Sequence, residues 1–281
     1  MKIAVASGKG GTGKTTVSVS LALSLDNVQF LDCDVEEPNA SIFLKPEINE
    51  KFLVEIPVPE VNEEKCDYCR KCAQLCAFNA LVVLAEKVLF FPEMCHGCGG
   101  CSYICPQQAI TEKNREIGVV ERGRAGDIDF IQGILNIGEP MAPPIIKKER
   151  SLIDPSKTVI LDAPPGTSCP VIETIRATDF CILVTEPTPF GLNDLKLAVE
   201  TVREINVPFG VVINQHGIGD DAVEHYCNRE AVPILMRIAW DRRIAEGYSK
   251  GIPMVTVLPE LKNDFRNIFS SIQTTLQQCS G

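Results

Sequence analysis

The sequence predicts an α/β protein: a mostly parallel sheet covered by helices on both faces, with a small α+β module spliced into it. Three observations carry that expectation. A glycine-rich loop at residues 8–15 sits between an apolar strand and a helix. Apolar strand segments then alternate with helical ones, the pattern of a parallel sheet. Between residues 46 and 117 the alternation stops, and eight of the 13 cysteines gather there.

In chain order, residues 2–6 form the first strand, 8–13 a loop, and 15–25 a helix with Val17, Leu21 and Leu25 apolar. Residues 28–31 return as a strand ending in Asp32-Cys33-Asp34. Residues 158–161 lead into Asp162-Ala163-Pro164-Pro165-Gly166-Thr167, and 180–185 precede Glu186-Pro187 and a helix over 192–205. A strand over 210–213 ends at Asn214, and 234–238 is a further strand. The stretch 261–276 reads as an amphipathic helix whose polar face is not basic. Docking on the protein's own body suits it better than membrane attachment. The chain divides into a nucleotide domain, 1–45 and 118–281, and an inserted module, 46–117.

A chain of 281 residues can bury one large core plus a small appendage. Hydrophobic content of 45% with only 6% aromatic residues suits an aliphatic parallel sheet. No apolar stretch reaches the ~20 residues of a membrane span. The N-terminus runs straight into the phosphate loop, so it reads as a core strand and not a signal peptide. The expected location is the cytoplasm. A net charge of −10 argues against non-specific nucleic-acid binding, which needs clustered cations. The run Lys147-Lys148-Glu149-Arg150 reads as a solvated helix face.

The loop Gly8-Lys9-Gly10-Gly11-Thr12-Gly13-Lys14-Thr15 matches G-x-x-x-x-G-K-[ST] in its required setting, after a strand and opening a helix. This is the P-loop of the P-loop NTPase class. Its glycines let backbone N–H groups point inward, and the helix N-terminus adds its positive end, so phosphates are cradled. Lys14 would reach the β- and γ-phosphates of ATP, and the Thr15 hydroxyl would bind Mg²⁺. Phosphoryl transfer is positioning plus charge neutralisation. It calls for carboxylates such as Asp34 and Asp162 near the γ-phosphate and the metal. Asp32 and Asp34 also fit capping of the following segment.

Cys66-Cys69-Cys72-Cys76 and Cys95-Cys98-Cys101-Cys105 each read C-x₂-C-x₂-C-x₃-C, and the second run repeats the first at an offset of 29 residues. Short β-prone pieces, 80–84 and 109–111, follow the runs. Zinc sites usually pair cysteines across a longer gap, so tight runs of four favour [4Fe–4S] clusters. The pattern resembles the bacterial two-cluster ferredoxins. That resemblance implies Cys66, Cys69, Cys72 and Cys105 on one cluster, and Cys95, Cys98, Cys101 and Cys76 on the other. Pro106 follows the second run as in those proteins, whereas Ala77 stands where the first run usually has proline. His96 lies off the ligand spacing and reads as an outer residue.

Lys9, in Lys9-Gly10-Gly11-Thr12-Gly13-Lys14-Thr15-Thr16, resembles the deviant Walker A motif of the MinD/ParA/nitrogenase iron protein ATPases. The resemblance implies that Lys9 contacts nucleotide across a homodimer. It implies that Asp34 positions water, that Asp162 reaches Mg²⁺ through water, and that Asn214 reads adenine. Residues Gly8 to Thr16 would form the cradle. Thr185-Glu186-Pro187-Thr188 also looks like this family, with no role attached. Cys169, seven residues after Asp162, matches a cysteine that bridges subunits through a cluster in the nitrogenase iron protein, and it also fits a buried thiol. Cys33 and Cys181 read as core.

Three functions follow as expectations. The first is a homodimeric ATPase coupling nucleotide state to electron transfer with a redox partner. The second is an ATP-dependent carrier that hands clusters to an apo-iron–sulfur protein. The third, a positioning switch on DNA or membrane, is weakened by the acidic charge.

Overall fold

The first strand, β1 (Lys2–Ala6), is an interior strand of a nine-stranded sheet. A computed structural model of the chain describes residues 1–279. After β1 come α1 (Lys14–Ala22), β2 (Val28–Asp32), α2 (Ala40–Leu44) and a long β3 (Glu47–Val61). The cysteine segment contributes α3 (Lys71–Leu75), β4 (Leu81–Val83), β5 (Val88–Phe90), a 3₁₀ turn (Pro92–Met94) and α4 (Gly100–Ile104). Next are β6 (Ile110–Ala125), β7 (Ile128–Leu135), α5 (Pro143–Arg150) and β8 (Thr158–Asp162). Then follow α6 (Cys169–Ile175), β9 (Phe180–Thr185), α7 (Pro189–Glu204), β10 (Phe209–His216) and α8 (Ala222–Arg229). The chain closes with β11 (Ile234–Ala239), α9 (Arg242–Tyr248), α10 (Met254–Val257) and α11 (Leu261–Cys279).

The strand order is β11-β10-β9-β1-β8-β2-β7-β6-β3. Every pair from β11 to β7 is parallel, and β7, β6 and β3 pair antiparallel at one edge. The α/β expectation holds. Parallel strands need both faces covered, and alternation along β1 shows how. Ile3 and Val5 face a core shared with Val17 and Leu21 of α1 and Phe265, Ile268 and Ile272 of α11. Ala4 and Ala6 face α6, α7 and α8 through Val171, Leu195, Val199 and Val223. The C-terminal helix therefore docks on the body, as its pattern implies. No helix among the described residues is long and apolar enough to cross a membrane.

Three elements depart from the sequence reading. β3, β6 and β7 belong to the main sheet, and the boundary at residues 117/118 falls inside β6. Their charged, exposed positions (Glu47, Glu50, Lys51 and Glu55 on β3) hide the strand pattern, because an edge ribbon meets water on much of its surface. The run Lys147 to Arg150 is not a solvated face: Glu149 is 0% exposed, and Arg150 donates to the Glu173 and Arg176 carbonyls, both at 2.5 Å. Asn214 lies within β10 rather than at its end.

Pairing registers locate the module. β6 meets β7 from Gly118↔Leu135 to Ala125↔Ile128, so residues 110–117 overshoot the C-terminal end of β7. β7 is parallel to β2. The β3/β6 ribbon therefore projects from the rim where the parallel strands end, which is also the P-loop rim. The ribbon runs out to Val61↔Ile110, and residues 62–109 are hung on its tip.

The module has an internal twofold at the same 29-residue offset as the cysteines. α3 maps onto α4, Arg70 (φ 65°) onto Gly99 (φ 72°), and the bond from Ala80 N–H to Cys76 Sγ (3.3 Å) onto that from Ala109 N–H to Cys105 Sγ (3.2 Å). Asn62 N–H to Ala109 O (2.7 Å) mirrors Phe91 N–H to Ala80 O (2.9 Å). The module is no loose appendage. Ile56, Val58, Ala80 and Cys95 share one buried core with Leu31, Val35, Ile145 and Leu161 of the nucleotide domain. Arg115 ties the two together, pairing with both Glu139 oxygens while donating to the Pro92 carbonyl at 3.2 Å.

Candidate functional site

The P-loop turns between β1 and α1. Two of its glycines are required by close approach: a Cβ on Gly8 would lie 2.1 Å from the Asp194 carbonyl oxygen, and one on Gly13 (φ 88°) 2.3 Å from Asn214 Nδ2. The Cβ position of Gly10 is open. This leaves the backbone side of the loop free for a ligand.

Lys14 is buried at the head of α1, its Nζ 3.0 Å from Asp162 Oδ1 and 3.8 Å from Asp34 Oδ2. Burial opposes its charge, but Asp162 and Asp34 outweigh that and hold its pKa above the usual lysine value. Asp162 is 0% exposed, and its Oδ2 has no hydrogen-bond partner. Burial, with Asp162 adding, pushes Asp32 up to about 7. Burial likewise lifts Asp34 to about 6, with Lys14 opposing and Asp162 adding. Three carboxylates thus share one buried cation. A divalent ion beside Thr15 fits that deficit, and the orphaned Asp162 oxygen is a ready acceptor for its water.

Asp32 settles as a structural residue: its Oδ2 accepts the N–H groups of Asn39 (3.0 Å) and Ala40 (2.8 Å) at the start of α2. Lys9 pairs with Glu186 Oε1 at 2.5 Å in the same chain. Glu186, whose motif carried no role in the sequence, is the carboxylate that parks it. Asn214 donates to the Thr12 carbonyl at 2.9 Å and lines the cavity. That cavity, about 540 Å³, is walled by the P-loop, Asp34, Pro165 and Asn214, and on its far side by Trp240, Ile244 and Tyr248. Sequence reasoning passed over Trp240. Its signal is an aromatic residue just past the C-terminal end of a parallel strand, where α/β crevices form.

Glu149 sits behind this site. Its carboxyl abuts Gly133, where a Cβ would come within 3.0 Å of Glu149 Cδ, and it faces the Cys33 thiol and the Gly133 N–H. Burial, with Asp32 adding, pushes its pKa well above the carboxylate range. The native state therefore keeps a proton that the unfolded chain releases above about pH 4.5. Native proton binding exceeds unfolded binding there, so stability falls as pH rises, by about 1.4 kcal/mol per pH unit for one group. Glu149→Gln is expected to unfold at higher urea than wild type at pH 8 and to flatten the stability decline from pH 5 to 8. An unchanged slope would count against a protonated Glu149.

The cysteines line two separate cavities. Cys66, Cys69, Cys72 and Cys105 surround one at the ribbon tip, and Cys95, Cys98, Cys101 and Cys76 surround another nearer the base. All eight are free thiols. Among the described residues, no three His, Cys, Asp or Glu side chains gather around a point that could hold a single ion. Four thiols around a small chamber suit a multi-iron cluster better than one zinc. Phe78 stacks on His96 at the base cavity, ring centroids 3.4 Å apart. Cys33 and Cys181 are buried, whereas Cys169 is exposed at the start of α6, against the buried-thiol reading.

The nucleotide-sized crevice, the P-loop and the parallel sheet define a P-loop nucleotide-binding protein. More particularly, the chain belongs to the CbiA family, the CobQ/CobB/MinD/ParA nucleotide binding domain, whose model matches residues 3–254. It is 32% identical over 281 residues to an uncharacterized protein of Methanocaldococcus jannaschii, covering 97% of this chain and 96% of the relative. An iron-sulfur cluster carrier protein of Pyrococcus horikoshii is 26% identical over 278 residues, 90% of this chain and 79% of the carrier. A 62-residue match, 45% identical, links 21% of this chain to 9% of the Pyrococcus horikoshii indolepyruvate oxidoreductase subunit IorA. Among solved structures, the cell division ATPase MinD of Pyrococcus furiosus shares the fold at TM-score 0.59 and 19% identity, covering 98% of both chains. Pyrococcus horikoshii MinD, solved with Mg-ADP, gives TM-score 0.56 at 20% identity, over 95% of this chain and 93% of that one.

Proposed function

We propose that the chain is an ATP-hydrolysing iron–sulfur protein, a homodimer in which nucleotide state governs electron transfer through an inserted two-[4Fe–4S] ferredoxin-like module. The observation that carries this reading is the lining of the two cavities, each with three cysteines of one run and the fourth of the other. Two-cluster ferredoxins share that pattern. When bound, each cluster supplies a one-electron couple. On the nucleotide side, Gly8 to Thr16 cradle the phosphates, Lys14 neutralises their charge and Thr15 holds Mg²⁺, with Asp162 behind its water. Asp34 orients the attacking water. Lys9 leaves Glu186 to reach the partner's nucleotide, and Asn214 turns from Thr12 to the base.

The buried core shared by the base cavity with β2, which leads to Asp34, and β8, which ends at Asp162, is the physical link between the two chemistries. A coupling of ~1–3 kcal/mol corresponds to roughly 40–130 mV for one electron, using ~59 mV per tenfold. Nucleotide can therefore gate partner docking as readily as it tunes a potential. The test is electron exchange between the anaerobically reconstituted protein and methyl viologen, with and without ATP, in wild type and in Asp34→Asn, which should hold the ATP state. A several-fold change in rate or a shifted potential is expected. Indifference of both to ATP would overturn the reading.

A second reading, cluster delivery, is supported by the names of relatives such as the Pyrococcus carrier. Transfer of clusters to an apo-ferredoxin in the presence of a chelator would favour it.

A further inference from the structure

We propose that the two cluster sites are electrostatically unequal, so that the tip site takes the first electron and the base site is the low-potential one. This rests on the two-cluster reading above.

The internal twofold makes the comparison controlled. Backbone surroundings repeat at the 29-residue offset, down to the N–H bonds on Cys76 and Cys105 sulfur (3.3 and 3.2 Å). A difference between the sites must therefore come from side chains. Arg70 and Lys71 line the tip cavity, and their counterparts at the base cavity are Gly99 and Gly100. Asp67 also lines the tip cavity, accepting from Cys69 N–H and Gln107 Nε2, both at 3.2 Å. The lining of the tip thus carries two cations against one anion. The base cavity has one carboxylate in its wall and no lysine or arginine: Glu112 accepts from Ser102 Oγ at 2.7 Å and lies 3.0 Å from a Cβ position on Gly99, while His96, the counterpart of Asp67, is stacked on Phe78. Arg115, whose charge reaches Cys95 at the base, is paired with both oxygens of Glu139.

Reduction adds one negative charge. Nearby cations favour it, while carboxylates and burial oppose it. Burial points the same way, because Cys95 at the base is only 8% exposed whereas Cys66, its counterpart at the tip, is partly open. Opposite Pro59 on the ribbon, Glu112 holds the base site toward the nucleotide domain, while Val61 and Ile110 mark the tip. An electron passing from base to tip runs downhill and arrives at the cavity farthest from the nucleotide. The tip is then the face that exchanges electrons with an outside partner, and the base is the site a nucleotide-driven movement can reach.

The experiment is an anaerobic redox titration with dithionite and mediators, followed by EPR, on the full chain reconstituted with iron and sulfide. Two one-electron waves are expected. Arg70→Gly with Lys71→Gln should lower the higher wave by about tenfold in its equilibrium constant, ~59 mV for one electron, and leave the lower wave in place. Glycine suits position 70, where φ is 65°. Glu112→Gln should raise the lower wave alone. Coincident waves in wild type, or a shift of the lower wave on neutralising Arg70 and Lys71, would overturn the inequality. Protein lacking acid-labile sulfide would instead overturn the cluster reading beneath it, a separate result.

Discussion

Lys14→Gln is expected to cut ATP hydrolysis by at least ~100-fold, the loss typical when one preorganised charge-stabilising donor is removed from a reacting centre. The ammonium lies between Asp162 and Asp34, 3.0 and 3.8 Å away, and it is buried with them. Removing it strips the phosphate contact and also leaves two buried carboxylates facing each other. Breaking a buried ion pair from one side costs on the order of 3–5 kcal/mol. The nucleotide-free variant should therefore unfold at clearly lower urea than wild type near pH 8 and recover part of the deficit near pH 5, where Asp34 protonates. Lys14→Arg should not rescue activity, because a planar fork does not replace a compact ammonium in so tight a slot. Calorimetric binding of Mg-ADP together with urea unfolding separates the two effects. Wild-type hydrolysis in Lys14→Gln would remove Lys14 from the site.

The second large effect is a crossed loss of iron. Each chamber takes three cysteines of one run and the fourth of the other. Cys76→Ser should therefore empty the base site, although Cys76 belongs to the first run. Wild type should hold about 8 iron atoms per chain and either Cys76→Ser or Cys95→Ser about 4, from two four-iron clusters with one lost. Double variants give the sharper contrast. Cys76→Ser with Cys95→Ser strikes one site twice and should keep about 4 iron, whereas Cys66→Ser with Cys76→Ser strikes both and should keep almost none. Were each run to hold its own cluster, these two outcomes would exchange. Iron and sulfide assays on anaerobically reconstituted protein read the result directly.

The sites were legible to different depths. The P-loop announces itself because phosphate binding uses the backbone, and the glycines that free it occupy adjacent positions in the chain. The cysteine runs are legible for a similar reason: three cysteines of each set fall within seven residues. Glu186 was visible only as part of an unassigned motif. Its meaning comes from lying against Lys9, 177 residues away in sequence. Glu149 was misread outright. In a run of charges its pattern is that of a solvated helix, and only the packing of α5 on β6 and β7 puts its carboxyl behind Asp32.

Local chemistry, then, was written in the chain itself: where the P-loop lies, which thiols are spaced together, and which strands are aliphatic enough to be buried on both faces. These depend on neighbours in sequence, whose spacing a single chain displays. The tertiary structure alone decided that the module is carried on a ribbon continuous with the sheet and that it stands on the P-loop rim. It also decided that one core joins Cys95 to β2, just before Asp34, and to β8, which ends at Asp162. Such relations come from pairing registers and burial between distant segments. A strand such as β6, half in the sheet and half in water, carries too mixed a pattern to reveal them beforehand.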